Sequence, residues 1–279
     1  MNRAEGGAPP SFGADRDWLL RFAPPPQTAA LEALFVVEQE VLASLRPGLE
    51  HQVAHLRLEW WQDELSRLAT GAARHPSTRA LAAAAQARTA SPAMLAGLVE
   101  HARVDLATVA FLSRDELDQH LGNWAASVFR EATLSHPDIG GTVSELRAAA
   151  ERLAASAGRA VRELELLADF SRHARAGRIY LPLGEPPQPH QRWLVSPLGA
   201  PEAAELQRRQ QQLLAALRQT AQTVEPRHRA ALRVPLLWMA FSASGAATPE
   251  RPRSPLRRTM AAWRDALAVS RGRLPQALR

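Results

Sequence analysis

Leucine, phenylalanine and valine recur three and four positions apart through residues 28–45, which lays one apolar stripe along one helical face. Pro24, Pro25 and Pro26 forbid helix ahead of this stripe, and Pro47-Gly48 stops it. The same spacing predicts a second helix over 51–68, closed by Thr70-Gly71. His75-Pro76-Ser77 opens a third, alanine-rich helix. Ser91-Pro92 opens a fourth, with proline in the first turn, where its missing N–H does no harm. Ser113 reads as an N-cap with acidic first-turn residues Asp115 and Glu116 behind it, and that helix should reach about Leu134. A turn at 137–141 precedes a long helix over 143–174, with Gly158 as a candidate interruption. The proline-rich stretch 177–201 reads as an ordered loop. Helices resume over 202–223 and 226–242, and a linker at 251–255 leads to a last helix over 256–270. No alternating strand pattern of useful length interrupts this series, so the expected architecture is one all-α domain.

Composition narrows the function classes. An apolar fraction of 46% supplies a sizeable core and argues against global disorder. The chain has no cysteine, which excludes disulfides and thiolate metal sites. The net charge of +6 is carried entirely by arginine, and the arginines are interspersed with acidic residues except at 251–258, an R-x-R-x-x-x-R-R run read as a solvated segment. No nucleic-acid partner is expected. The apolar stretch at 234–247 is too short to span a bilayer and is broken by Ser242, Ser244 and Gly245. Residues 1–14 lack the apolar centre of a secretory signal and read as a disordered lead. The expected division is thus that lead, a helical domain over 15–245, and a basic linker with a C-terminal helix over 246–279. The expected location is cytoplasmic, with peripheral membrane contact as the variant reading.

Three segments carry chemistry-bearing spacing: Arg57-Leu58-Glu59-Trp60-Trp61-Gln62-Asp63, then Gly158-x-Ala160 leading to Asp169, then Gly177-Arg178-Ile179-Tyr180-Leu181-Pro182. Ala33-Leu34-Phe35 adds a fourth. In order and separation they resemble the R-L-x-W-W-x-[DE] helix, the G-x-A…R-D helix, the G-R-x-Y-L-P loop and the A-L-Y opening of the squalene/phytoene synthase family. The resemblance covers about residues 15–245. It implies an isoprenoid-synthase-like helical bundle around a central apolar cavity, and head-to-head condensation of two prenyl diphosphates. In that family two D-x-x-x-D helices face each other and hold magnesium. Asp at i and i+4 share a helix face, hard oxygen donors suit the ion, and the metal neutralises the leaving diphosphate.

This chain departs from that pattern. The first motif falls on Leu42 and Arg46, neither of which can hold magnesium, while Glu38 and Glu40 sit off the motif. The second falls on Asp169 and His173, with Ala168 in place of an arginine and Arg172 in place of an acidic neighbour. Asp169 is the one candidate metal ligand retained, and His120 stands where the family has a tyrosine. Arg46, Arg57, Arg178 and Tyr180 are the candidate diphosphate-binding residues. The expected function is therefore a non-catalytic or weakly active family member with a binding or assembly role. No cofactor is expected. The alternative is a magnesium-dependent prenyltransferase acting on farnesyl or geranylgeranyl diphosphate in squalene, carotenoid or hopanoid synthesis. Candidate partners are a prenyl diphosphate or anionic lipid, met by Arg46 without a bridging metal, and a protein client. Other readings are bland: Trp60 and Trp61 as packing, His51, His55 and Glu59 as a solvated helix face, Arg103 and Asp105 as surface or supporting residues. No P-loop, dinucleotide fingerprint or nucleophile elbow is present.

Overall fold

The computed structural model describes residues 11–46, 48–86, 95–107, 110–111, 113–139, 145–175, 178, 180, 199–246 and 255–279. The described residues form helices and their connections, with no strand. The helices are α1 (Ser11–Phe22), α2 (Pro25–Leu42), α3 (His51–Ala69), α4 (Pro76–Gln86), α5 (Ala96–Ala107), α6 (Arg114–Trp124), α7 (Arg130–Leu134), α8 (Glu145–Ala168), α9 (Phe170–Arg175), α10 (Ala200–Gln222), α11 (Pro226–Arg229), α12 (Arg233–Ala246) and α13 (Pro255–Ser270). Helix α8 is the hub: α6, α7, α10 and α12 all pack on it. Helix α2 lies on α4, and α1 bridges the two regions by touching α2, α8 and α12.

Several boundaries differ from the sequence expectation for local reasons. Helix α1 begins at Ser11, so the end of the presumed lead is helical, while residues 1–10 lie outside the described residues. Prolines open α2 rather than excluding it. Pro24 is the N-cap and the next prolines fill N1 and N2, positions whose N–H groups have no intrahelical acceptor. At its other end α2 tightens into a 3-10 turn, Ala43–Leu45, and Arg46 is extended (φ −61°, ψ 135°), as a residue preceding proline should be. Gly158 does not interrupt α8. It permits contact instead, since a Cβ there would lie 2.8 Å from the Ala125 Cβ and 3.2 Å from the Phe129 ring. Those partners belong to a π turn, Ala125–Phe129, that joins α6 to α7. The break comes at Asp169, between α8 and α9. Ser113 caps α6 as expected, its side chain accepting from the Glu116 N–H at 3.2 Å. Most of the predicted loop at 177–201, and the linker at 251–254, lie outside the described residues.

Glu64 ties α3 to the start of α4. Its carboxylate accepts from the backbone N–H groups of Arg74 and His75, both at 2.7 Å, and from the Thr78 hydroxyl. Burial pushes this carboxyl up, but those bonds and Arg67 outweigh it and hold it down at about 2.

Candidate functional site

Helix α1 carries Arg16 inward. Arg16 is 5% exposed, and its guanidinium reaches carboxylates on two different helices. Arg16 Nη2 donates to Glu38 Oε1 of α2 at 2.9 Å and Nε to Glu38 Oε2 at 3.1 Å. Nη1 donates to Glu165 Oε1 of α8 at 2.5 Å. Indoles add to these bonds: Trp124 Nε1 donates to Glu38 at 2.8 Å and Trp238 Nε1 to Glu165 at 2.9 Å. The Trp238 ring also lies 4.4 Å from the Arg16 guanidinium carbon, a cation–π distance. Phe35, Trp124 and Trp238 are buried and stack edge-on around this centre. The space between α2 and α8 is thus occupied by a guanidinium, two indoles and a phenyl ring.

The electrostatics follow from this geometry. Burial disfavours the Arg16 cation, yet Glu165 and Glu38 outweigh it and raise its pKa. Burial likewise pushes the Glu165 carboxyl up, but Arg16 and then Arg162 prevail and hold it below the ordinary range. Both groups are therefore ionised at neutral pH. At the edge of this network Asp15 is pushed up to about 7, by burial first and then by Glu165, despite Arg258 at 3.6 Å.

The polar chain continues along α8. Arg162 Nη1 donates to Glu165 at 3.1 Å, and Nη2 lies 3.3 Å from His101 Nε2. His101 stacks on His120 with ring centroids 3.9 Å apart, and His120 Nε2 is 3.0 Å from Asp105 Oδ1. The Tyr180 hydroxyl is hydrogen-bonded to Asp105 as well. Burial pushes the Asp105 carboxyl up, but His101 and His120 outweigh it and hold it low, while burial and the His120 neighbour depress His101. Burial, then Asp105, raises the Tyr180 phenol.

Two metal readings can be tested on these residues. His101, Asp105 and His120 present ligand atoms within 4.8 Å of one another. However, His101 Nδ1 lies 3.1 Å from the His120 carbonyl oxygen and its Nε2 faces the Arg162 guanidinium, which leaves a dication beside a fixed cation. Among the described residues, Asp105 Oδ1 and both His120 ring nitrogens are buried without a hydrogen-bond partner, so what weighs against a metal there is the Arg162 guanidinium beside His101. Magnesium between α2 and α8 fits no better. The motif positions offer an aliphatic chain at Leu42 and a cation at Arg46, and the carboxylates that do face each other are already bound by Arg16.

The sequence-predicted residues fall in separate places: Leu42 and Arg46 at the end of α2, and Asp169, His173, Arg178 and Tyr180 together around the α8–α9 break. Leu42 is the last residue of α2, half-buried. Arg46 lies beyond the helix end, exposed, with its Nε donating to the Ala43 carbonyl at 3.3 Å. The presumed i, i+4 pair therefore does not share an α-helical face. Asp169 and His173 are half-buried at the α8–α9 break, and His173 sets its ring edge-on to Tyr180 at 4.9 Å. Arg57 is half-buried beside Glu40 at 3.7 Å. Arg178 is half-buried, its N–H donating to the His173 carbonyl. Of the tryptophan pair, Trp61 is in the core and Trp60 is 44% exposed. The pair the fold unites is instead Glu38 and Glu165, each one helical turn upstream of an expected ligand, Leu42 and Asp169. Sequence reasoning passed over Arg16, Arg162, Glu165 and His101. The available signal was the matched one-turn offset of two acidic residues on the two motif helices.

Compared with protein-family models, the chain matches squalene/phytoene synthase over residues 13–247. No curated protein and no solved structure matches it.

Proposed function

The chain belongs to the squalene/phytoene synthase family, and we propose that it is a non-catalytic member, retained for binding or assembly rather than for prenyl transfer. The observation that carries this reading is the Arg16 bridge between Glu38 and Glu165. Ionising a prenyl diphosphate requires mobile divalent cations held by carboxylates that stay open to them. Here the facing carboxylates are held by tethered cations, Arg16 on both and Arg162 on Glu165, and two indole N–H groups take further acceptor positions. Leu42 and Arg46 supply no replacement ligands. The apolar shell of Phe35, Trp124, Phe129 and Trp238 packs around this bridge.

The test is turnover. Purified protein with magnesium and either farnesyl or geranylgeranyl diphosphate should release no pyrophosphate above a no-enzyme control. Magnesium-dependent formation of squalene or phytoene would overturn the proposal in favour of an active prenyltransferase, and would require Arg16 to leave its carboxylates during the reaction.

A further inference from the structure

Helix α13 presents its apolar residues on the side away from the core. Leu256 is 69% exposed, Met260 64%, Trp263 64% and Leu267 49%. Their spacing of i, i+4, i+7 and i+11 places all four within an arc of about 60° on the helix. The opposite face buries Ala262, Asp265, Ala266 and Val269, and α13 packs on α12 through it. An apolar ridge of this length facing water is uncommon in a helix whose other face is fully seated.

Charge decides what the ridge fits. Arg257 and Arg264, seven residues apart, line one edge of it and are exposed. Residues 251–279 contain eight arginines against one acidic residue, Asp265. That aspartate is buried, accepts the Gln276 N–H at 3.1 Å and touches the exposed Arg264 guanidinium at 3.5 Å, leaving Arg257 and the outer side of Arg264 facing water. Behind the arginine edge, at the junction of α10, α12 and α13, lies a cavity of about 430 Å³ lined by three arginines, Arg218, Arg257 and Arg264, against one carboxylate, Asp265. Trp263 stands at the other border, edge-on to Phe22 of α1 at 5.6 Å. A second exposed ridge, Val53, Leu56 and Trp60 on α3, lies among exposed Glu59 and Asp63 and lacks this charge. Among the described residues no helix is long and apolar enough to cross a membrane.

We propose that α13 docks the protein on an anionic phospholipid bilayer. The helix lies in the plane of the surface. Leu256, Met260, Trp263 and Leu267 enter the boundary between headgroups and acyl chains, while Arg257 and Arg264 meet lipid phosphates and the arginine-lined cavity receives a headgroup. An apolar ridge with a tryptophan and flanking arginines matches both layers of such an interface. This inference stands apart from the catalytic question, since it involves none of the residues between α2 and α8.

The test is co-sedimentation of the full chain with vesicles of phosphatidylcholine alone, and of phosphatidylcholine mixed with phosphatidylglycerol. Binding is expected only to the mixed vesicles and should weaken with added salt, because exposed charge pairs are screened. Met260→Asp should reduce binding roughly ten-fold or more, and Arg257→Glu with Arg264→Glu should do the same. All three side chains are exposed, so helix content by circular dichroism should not change, and the melting temperature of the arginine variant separately reports loss of the Arg264–Asp265 contact at 3.5 Å. Equal binding by Met260→Asp, or absence of wild-type binding to the mixed vesicles, would overturn the proposal. So would light scattering that shows a dimer which Met260→Asp dissociates while vesicles are ignored, because the ridge would then be an interface with a second copy.

Discussion

Replacing Arg16 by methionine removes a buried cation and leaves the methylene volume nearly intact. Glu38 and Glu165 then face each other without the guanidinium that now contacts both at hydrogen-bond distance. Breaking one partner out of a buried ion pair costs about 3–5 kcal/mol, because the opposite charge is left uncompensated. For a domain of this size each kcal/mol shifts the melting temperature by about 2–4 °C, so a loss of roughly 10 °C is expected. The pH dependence should also flatten. In the wild type the Glu165 carboxyl is held below its ordinary range, so its contribution is present above the unfolded pKa near 4.5 and is lost as pH falls further. Without Arg16 that carboxyl keeps only Arg162 and the Trp238 indole against its burial, so the variant should lose less stability than the wild type as pH falls below 4.5. Adding Glu38→Gln removes the orphaned charge while keeping an acceptor for the Trp124 indole, and should restore more than half of the loss. Urea unfolding followed by circular dichroism at several pH values measures all three effects. A single variant as stable as the wild type, or a double variant no better than the single, would refute the reasoning.

Three further perturbations probe neighbouring parts of the structure. Asp15→Asn should stabilise the protein at pH 8 by on the order of 2 kcal/mol and change little at pH 4, because a carboxyl raised from 3.8 to about 7 favours folding below the lower value and loses that contribution as pH rises through the upper one; equal effects at both pH values would contradict this. Glu64→Ala should cost about 1–3 kcal/mol at pH 7 by stranding two backbone N–H groups and the Thr78 hydroxyl, and the wild-type advantage should fade as pH falls from 4.5 toward 2, which acid titration of both proteins would show. Gly158→Val should lower stability by about 1–3 kcal/mol in thermal denaturation, since its Cβ meets the Ala125 Cβ at 2.8 Å.

The fold was legible because helical periodicity and punctuation agree along the chain. Ser113 caps where its type predicts, and α3 and α10 run nearly as their apolar spacing demands. The misread places were those where a residue's meaning depends on a distant neighbour. Gly158 looks like a helix breaker until the π turn at 125–129 is seen pressed against it. Asp105 looks like a surface acid until His101, His120 and Tyr180 enclose it. The family segments located the motif helices, but a fixed register pointed to Leu42 and Arg46, and the helix ends before Arg46 because Pro47 follows it. Arg16 was illegible for a plainer reason. It lies twenty-two residues from one partner and 149 from the other, and local sequence carries no sign of such a pair.

If a tethered guanidinium takes the place of metal between Glu38 and Glu165, diphosphate binding cannot depend on magnesium. Thermal shift of the wild-type protein with farnesyl diphosphate, compared in magnesium and in chelator, tests this most directly. The expected result is the same melting temperature in magnesium and in chelator, with or without the diphosphate, because Glu38 and Glu165 are already bound to Arg16. A saturable rise in melting temperature that needs magnesium and diphosphate together, and that Glu38→Gln or Glu165→Gln removes, would contradict it.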